Sequence, residues 1–251
     1  MDSIAVWKEK LESASGKQLD EVIALAMLDP RAGVRKLGQT YANRQKKLEA
    51  ERKRLWNMRL YEREYQHIGP VCGIDEAGRG PLAGPVVAGA VILPEECDIL
   101  YLNDSKKLSE KRREELYDEI TDKAVAWGVG IVGPARIDEI NILQADYEAM
   151  CLALGSLKVM PSVLLNDAVT IPQVTIRQVP IIKGDAKSVS IAAASIIAKV
   201  TRDRLMKEYD DVYPDYGFAK HKGYGTADHI AAIRKYGPCT IHRRSFIGSF
   251  V

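Results

Sequence analysis

The chain has no cysteine framework. Its four cysteines, Cys72, Cys97, Cys151 and Cys239, are scattered, with no CxxC pair and no zinc spacing. This excludes a disulfide-stapled scaffold and a thiolate zinc site, and implies free thiols in a reducing compartment. Long apolar runs are also missing. No stretch approaches the roughly 18 residues of a membrane helix, and the opening MDSIAVWKEKLE has charges where a signal peptide needs an apolar core. The expected location is cytoplasmic, with no membrane partner. Neither sign of charge dominates: 36 bases against 34 acids leave +2, so a grip on any polyanion must come from local clustering. Internal repeats and linkers rich in proline, glycine or serine are absent. What remains is a chain of 251 residues, 46% apolar, enough for one large domain, with or without a small appendage.

Residues 1–68 read as helical throughout, with Gly16, Gly33 and Gly38 as their only glycines. Ile4, Trp7 and Leu11 share a helical face, and a break at Ser13 to Gly16 precedes a second helix, Leu19 to Met27, closed by Asp29-Pro30. A long helix of mixed charge then spans Arg31 to Tyr65. Its stretch Arg44 to Arg59 carries seven bases against Glu49 and Glu51, with Tyr41, Trp56 and Tyr61 near or among them. Such a run is either a solvated helix face or a phosphate-contacting surface with aromatic support. The pattern changes at His67 to Pro70. That divides the chain into a small all-α extension, 1–68, and an α/β domain, 69–251.

The α/β domain is organised around Val71 to Pro94, VCGIDEAGRGPLAGPVVAGAVILP. An apolar strand ends in adjacent acids, Asp75 and Glu76. A loop with glycines at 78, 80 and 84 and prolines at 81 and 85 leads to a second strand, Val86 to Leu93. Two adjacent carboxylates beside apolar strands must be protonated, paired with a base or holding a cation. Arg79 could satisfy one of them, so the choice lies between a metal site and a structural ion pair. The glycines echo a dinucleotide fingerprint only loosely, because their spacing is GxGxxxG and a strand follows where a helix should. Their other use is a bare backbone that lets a ligand approach closely.

Further along come a polar loop, Leu102 to Lys107, and a charged helix capped by Ser109 with Leu116, Ile120 and Ala124 facing inward. A third strand runs from Ala124 to Val132, and helical stretches cover Ala135 to Ile140 and Leu143 to Lys158. A buried strand, Ser162 to Leu165, arrives at Asn166-Asp167. Another, Val174 to Ile182, ends in Lys183-Gly184-Asp185. A helix rich in small residues follows from Ala186 to Tyr209, and a loop-rich tail carries one helix, Ala227 to Tyr236, and the basic cluster His242-Arg243-Arg244.

In a sheet with parallel central strands the carboxyl ends share one edge, where open α/β sheets place their sites. Asp75, Glu76, Asp167 and Asp185 would meet there, a donor set that suits hard divalent cations. Two such ions can activate a water and stabilise the leaving oxygen in phosphodiester hydrolysis. Taken singly, Asp185 could be an N-cap and Asp167 a turn former. Successive strand residues also point to opposite faces, so Asp75 and Glu76 can serve one site only at a strand end or bulge.

Asp75-Glu76-Ala77-Gly78-Arg79-Gly80-Pro81, Asn103-Asp104-Ser105-Lys106-Lys107-Leu108, Gly184-Asp185-Ala186-Lys187-Ser188 and His221-Lys222-Gly223-Tyr224-Gly225-Thr226 together resemble bacterial ribonuclease HII across about residues 70 to 248. The resemblance implies an RNase H-like fold around a mixed five-stranded sheet flanked by helices. It further implies endonucleolytic cleavage of RNA in RNA/DNA hybrids and at ribonucleotides embedded in duplex DNA, leaving 3′-hydroxyl and 5′-phosphate ends. Asp75, Glu76, Asp167 and Asp185 match the family's acidic quartet, implying a Mn²⁺ or Mg²⁺ cofactor with two ions when substrate is bound. Gly78, Arg79 and Gly80 would read the ribose 2′-hydroxyl, the group that distinguishes RNA from DNA, and Tyr224 would pack on the neighbouring deoxyribose. Lys187 and Ser188, at a helix N-terminus, would take a phosphate. Lys106, with Lys107, Lys222, Arg243 and Arg244, would grip the backbone or remain a solvated surface charge. Asn166 stands where the family usually has an apolar residue. The expected protein is a monomer with no obligate protein partner. The rivals are a non-catalytic nucleic-acid binder, using the Arg44–Arg59 helix and the tail, and a junction resolvase of the same fold.

Overall fold

In a computed structural model, which describes residues 2–249, the chain forms two compact units that divide between Trp56 and Asn57. The first holds α1 (Ile4–Ser13), α2 (Gly16–Leu28) and most of α3 (Ala32–Met58). Ser3 caps α1 by accepting from the Val6 N–H, as a hydroxyl at that position should. Of the face expected on α1, Leu11 is buried while Ile4 is exposed, and Ile23, Ala26 and Val34 complete this small core. At Gly38 a Cβ would stand 3.0 Å from that of Ala26, so the glycine sets how closely α2 and α3 approach.

The long helix expected to reach Tyr65 breaks at Arg59, whose backbone (φ −84°, ψ 12°) leaves the helical region before α4 (Leu60–Tyr65). Tyr61 and Tyr65 pack on a cluster of Val71, Val163, Leu165, Ile181 and Ile191. The second unit therefore begins before the change of composition near residue 68.

Five strands form one sheet: β1 (Val71–Ala77), β2 (Val86–Ile92), β3 (Ala126–Val132), β4 (Val163–Asp167) and β5 (Arg177–Ile181), in the order β3-β2-β1-β4-β5. The β1–β2 and β2–β3 pairs are antiparallel, whereas β1–β4 and β4–β5 are parallel. The carboxyl ends of β1, β4 and β5 accordingly lie on one edge. Strand β5 starts later than its apolar pattern suggests. The Gln178 amide holds the turn before it, donating to Ile171 O and Val174 O and accepting from Ile171 N–H, so Val174 and its neighbours stay outside the ladder.

Helix α5 (Glu110–Lys123) is capped by Ser109 as expected and buries Leu116 and Ile120, while Ala124 is only its C-cap. Helix α6 (Pro134–Gly155) is kinked at Asn141 (φ 68°, ψ 164°). The Asn141 carboxamide oxygen restarts the helix by accepting from Leu143 and Gln144, which reconciles one helix with the two expected. Helix α7 (Val189–Val212) follows a short turn, Gly184–Ala186. The tail holds α8 (Phe218–His221), α9 (Ala227–Tyr236) and α10 (Arg244–Ile247).

The sheet is covered tightly on both faces because glycines leave room for helix backbone. A Cβ at Gly73 would lie 2.1 Å from Ser190 C, and one at Gly89 2.5 Å from Ala194 O, both on α7. On the other face, Gly128 and Gly130 would clash with Ala153 O and Ala149 O of α6 at 2.4 and 1.9 Å. Among the described residues no helix is long and apolar enough to cross a membrane.

Candidate active site

The alternation of β1 sends its two acids to opposite faces. Asp75 shares the face of Gly73, and the Ser195 hydroxyl of α7 bonds to it; Glu76 faces α6. One site can use both because the β1–β4 ladder stops at Ile74↔Asn166, while β1 continues three registers further along β2, to Ala77↔Val87. The edge opens there. The Glu76 N–H, freed from β4, is taken by Asp75 Oδ1 at 2.8 Å.

Asp167 ends β4, and its Oδ1 accepts from the Gly184 N–H at 2.7 Å, which brings the turn bearing Asp185 to it. The electrostatics link all four acids. Burial, the charge of Glu76 and that of Asp167 push Asp75 well above the carboxylate range. Burial, then Asp104 and Asp167, push up Asp185. Lys106 faces them: burial opposes its ammonium, yet Asp75, Asp104, Asp185 and Glu76 together raise it. Among the described residues no three His, Cys, Asp or Glu side chains are already gathered as a metal cage. Like charges without a counterion splay and bind backbone N–H groups instead, as Asp75 and Asp167 do. A set of mutually repelling hard oxygens, opposed by Lys106 and Arg79 alone among the neighbours named here, fits a divalent cation.

Two further acids belong here that the sequence did not single out. Asp104 caps the Ser105–Lys107 turn and acts on Asp185. Asp146, on α6, is fully buried, and neither carboxylate oxygen has a hydrogen-bond partner. Its nearest cation is Arg79, whose Nε lies 3.5 Å away and whose Nη1 lies 3.6 Å from Glu76. Arg79 thus bridges Glu76 and Asp146 rather than Asp75. Burial, with the Glu76 charge, pushes Asp146 up to about 8 against the pull of Arg79.

The loop between β1 and β2 is held by two buried arginines. Arg202 donates to Pro85 O, Ala83 O and Lys222 O. Arg243 donates to Gly84 O, Arg79 O and Gly78 O at 3.0, 2.9 and 2.6 Å. Arg243 is wholly inaccessible, which corrects the expectation that it grips a nucleic-acid backbone. Gly78 (φ +97°) has Arg202 Nε 2.1 Å from where a Cβ would be, whereas Gly80 opens onto free space. Backbone bonds from Leu82 N–H to Gly223 O and from Gly84 N–H to Ile241 O tie the same loop to the tail. Ser188 is likewise fully buried, donating to Glu62 and accepting from the Ile191 N–H, so it supports the turn while Lys187 beside it is exposed.

Tyr224 is 43% exposed, with the Arg202 guanidinium 5.9 Å from its ring centre. Its backbone is fixed by a histidine relay. His242 Nδ1 accepts from the Cys239 N–H, so its Nε2 carries the proton and donates to His229 Nε2 at 3.1 Å. His229 Nδ1–H then donates to Tyr224 O. Both rings are neutral in this arrangement. Burial, then the facing His229, bring His242 down to about 4. Between pH 6.5 and about 4 the unfolded chain takes up a proton at this residue that the folded chain refuses, so the contribution of His242 to stability falls as the pH drops, against the opposite trend of the raised carboxyls Asp75, Asp146 and Asp185. The loss should approach about 3 kcal/mol. The measurement is the difference between parent and His242→Asn in urea midpoints at pH 7 and 4.5: the variant should lose less stability, or gain more, on going to pH 4.5, and an identical pH dependence in both would remove the relay from the account.

Comparison with known proteins decides the family. A profile described as Ribonuclease HII matches residues 72–249, and one described as Ribonuclease HII N-terminal domain matches residues 3–66. The chain belongs to the ribonuclease HII family. It is 65% identical over 219 residues to the ribonuclease HII of Lachnoclostridium phytofermentans, covering 87% of this chain and 86% of that one. With the ribonuclease HII of Acetivibrio thermocellus it shares 53% identity over 249 residues, 97% of each. The crystal structure of ribonuclease H2 from Pyrococcus horikoshii OT3 superposes with a TM-score of 0.59 at 33% identity, covering 70% of this chain and 92% of that one. The RNase H-like fold expected from the motifs is thus present. As a member of this family, the chain is a nucleic-acid hydrolase of the ribonuclease H type, in a family that depends on divalent metal.

Proposed function

We propose that this member of the ribonuclease HII family cuts the RNA strand of RNA/DNA hybrids, and cuts 5′ of single ribonucleotides embedded in duplex DNA, leaving 3′-hydroxyl and 5′-phosphate ends. The supporting observation is the electrostatic coupling of Asp75, Glu76, Asp167 and Asp185 beside an open glycine backbone. These four would hold two Mn²⁺ or Mg²⁺ ions in the presence of substrate. Bound there, such ions supply an activated water and charge stabilisation for the leaving oxygen. Asp104 and Asp146 stand behind the quartet, acting through Asp185 and Arg79.

The other residues recognise the substrate. The Gly78-Arg79-Gly80 backbone, with nothing near Gly80 to bar approach, reads the ribose 2′-hydroxyl. Tyr224 packs on the deoxyribose next to it. Lys106 and Lys187 neutralise phosphates. Such work removes misincorporated ribonucleotides and RNA primers. A labelled duplex carrying one ribonucleotide should be cut only with divalent metal, and the all-deoxyribose duplex should stay whole; cleavage of the latter would turn the assignment toward a resolvase. Tyr224→Ala should slow cleavage at the lone ribonucleotide more than cleavage of a long hybrid, and equal losses would remove Tyr224 from the junction.

In the same proposal residues 1–68, with the bases of Arg44 to Arg59, add a second surface for duplex. A chain beginning at Asn57 should bind hybrid more weakly, with a shallower salt dependence. Starting at Asn57 keeps Tyr61, Glu62 and Tyr65 in place. Unchanged affinity would make the extension irrelevant to binding.

A further inference from the structure

Arg79 is shared between two acids and held closely by neither. Its Nη1 lies 3.6 Å from Glu76 Oε1 and its Nε lies 3.5 Å from Asp146 Oδ2. Both separations exceed the roughly 2.7–3.2 Å of an N–H···O hydrogen bond. The backbone beneath the side chain is fixed, because Arg243 donates to Arg79 O and Gly78 O. The side chain itself is 41% exposed. The guanidinium can therefore pass from one acid to the other by turning about its own bonds, with the glycine loop unmoved.

The two acids differ in what else they can bind. Asp146 has no accessible surface, and neither of its oxygens has a hydrogen-bond partner. It is closed to any ion that enters the sheet edge, and among the described residues Arg79 is the one cation paired with it. Glu76 keeps part of its side chain open and is one of the four acids proposed to hold metal. Asp146 can only hold Arg79, whereas Glu76 can take either Arg79 or a cation.

We propose that Asp146 is a positioning residue that draws Arg79 away from Glu76 and so leaves Glu76 free to take a divalent cation. This rests on the metal role proposed above for the acidic quartet. A guanidinium left with Glu76 alone would close on it and compete with the ion for the same oxygens. The buried carboxylate gives the guanidinium a second seat, in surroundings of low dielectric where opposite charges attract more strongly than at the open edge. The pairing also compensates a carboxylate that otherwise lies inside the fold without a hydrogen bond.

The Mg²⁺ affinity of the full chain tests this, read by calorimetry and from the rise of melting temperature with Mg²⁺ concentration. A pH of 8.5 is used, above the value of about 8 to which Asp146 is pushed. Asp146→Asn keeps the shape and removes the charge. It should bind Mg²⁺ about fivefold more weakly, the scale of one half-exposed ion pair gained by Glu76. In an Arg79→Met chain the same substitution should cost less than about twofold, because no guanidinium remains to turn on Glu76. Parent-like affinity in Asp146→Asn would overturn the proposal. So would a loss that persists undiminished beside Arg79→Met, since Asp146 would then act by its own charge. Asp75→Asn keeps the two readings apart. If it binds Mg²⁺ as tightly as the parent, the ions lie elsewhere and both readings fall; if it binds weakly while Asp146→Asn is unaffected, the positioning role alone is lost. Crystals of the parent grown with Mg²⁺ need no substitution: Arg79 Nε should sit nearer to Asp146 than 3.5 Å and have left Glu76, and a guanidinium still on Glu76 would defeat the assignment. None of these readouts depends on cleavage.

Discussion

Asp75→Asn is expected to lower the cleavage rate by at least about 10³, the scale of a lost transition-state stabiliser, while leaving the fold and hybrid binding intact. Asp75 is 6% exposed, sits on a central strand, and carries a pKa raised first by burial and then by Glu76. A carboxyl whose folded pKa lies above its unfolded one favours folding while protonated, and that benefit is lost as the pH rises through the interval between them. The ionised form of the side chain is therefore a liability that the isosteric amide removes. Without metal the variant should melt no lower than the parent. Added Mg²⁺ or Mn²⁺ should raise the parent's melting point more than the variant's. Near-normal turnover by Asp75→Asn would defeat the site, and equal stabilisation of both proteins by metal would place the ions elsewhere.

Arg243→Met is expected to destabilise the chain by roughly 3 kcal/mol and to cripple cleavage with it. The substitution fills similar space but leaves the carbonyls of Gly78, Arg79 and Gly84 buried without donors, each worth about 1–3 kcal/mol when orphaned. Part of that loss is offset, because burial and the neighbouring Arg202 charge already push the Arg243 guanidinium down. The control is Arg244→Met. Arg244 is exposed and, among the described residues, its side chain donates to Pro238 O alone, at 3.4 Å, so the change should stay within about 0.5 kcal/mol. Had Arg243 been a phosphate contact, its loss would weaken binding in a salt-dependent way and spare the melting point. Denaturant midpoints beside hybrid affinities at two salt concentrations separate these outcomes. A full melting point with weakened binding would restore the surface role.

What the sequence displays well is whatever repeats or punctuates. The paired acids, the glycine loop and the small-residue helix each announce themselves by spacing, and the strands around them follow from apolar runs. What it hides is polarity in unexpected places. Arg202 follows Ala194 and Ala198 at intervals of four and precedes Met206, all buried; that stripe was the signal that this arginine faces inward. Arg243 had no such signal, because two neighbours in His242-Arg243-Arg244 are equally polar and only the tail's return to the loop buries the middle one. Asp146 interrupts an alanine and leucine helix, a conflict visible in the sequence, but its partner Arg79 lies across the fold. Glu62 was lost within a run of charges. Arg79 was expected to relieve one of the paired acids; its second partner, Asp146, was not foreseen.

The stretch from Gly78 to Pro85 is clamped by Arg202, Gly223, Ile241 and Arg243, all of which leave the ribosome long after it does. During synthesis the apparatus that would tell ribose from deoxyribose is translated early but cannot take shape until nearly the whole polypeptide has emerged. Contacts of such wide sequence separation form slowly and late. A nascent or C-terminally clipped chain should thus hold its sheet and its acids yet lack the ordered loop that would seat a ribose, so that unfinished copies do not tell ribose from deoxyribose.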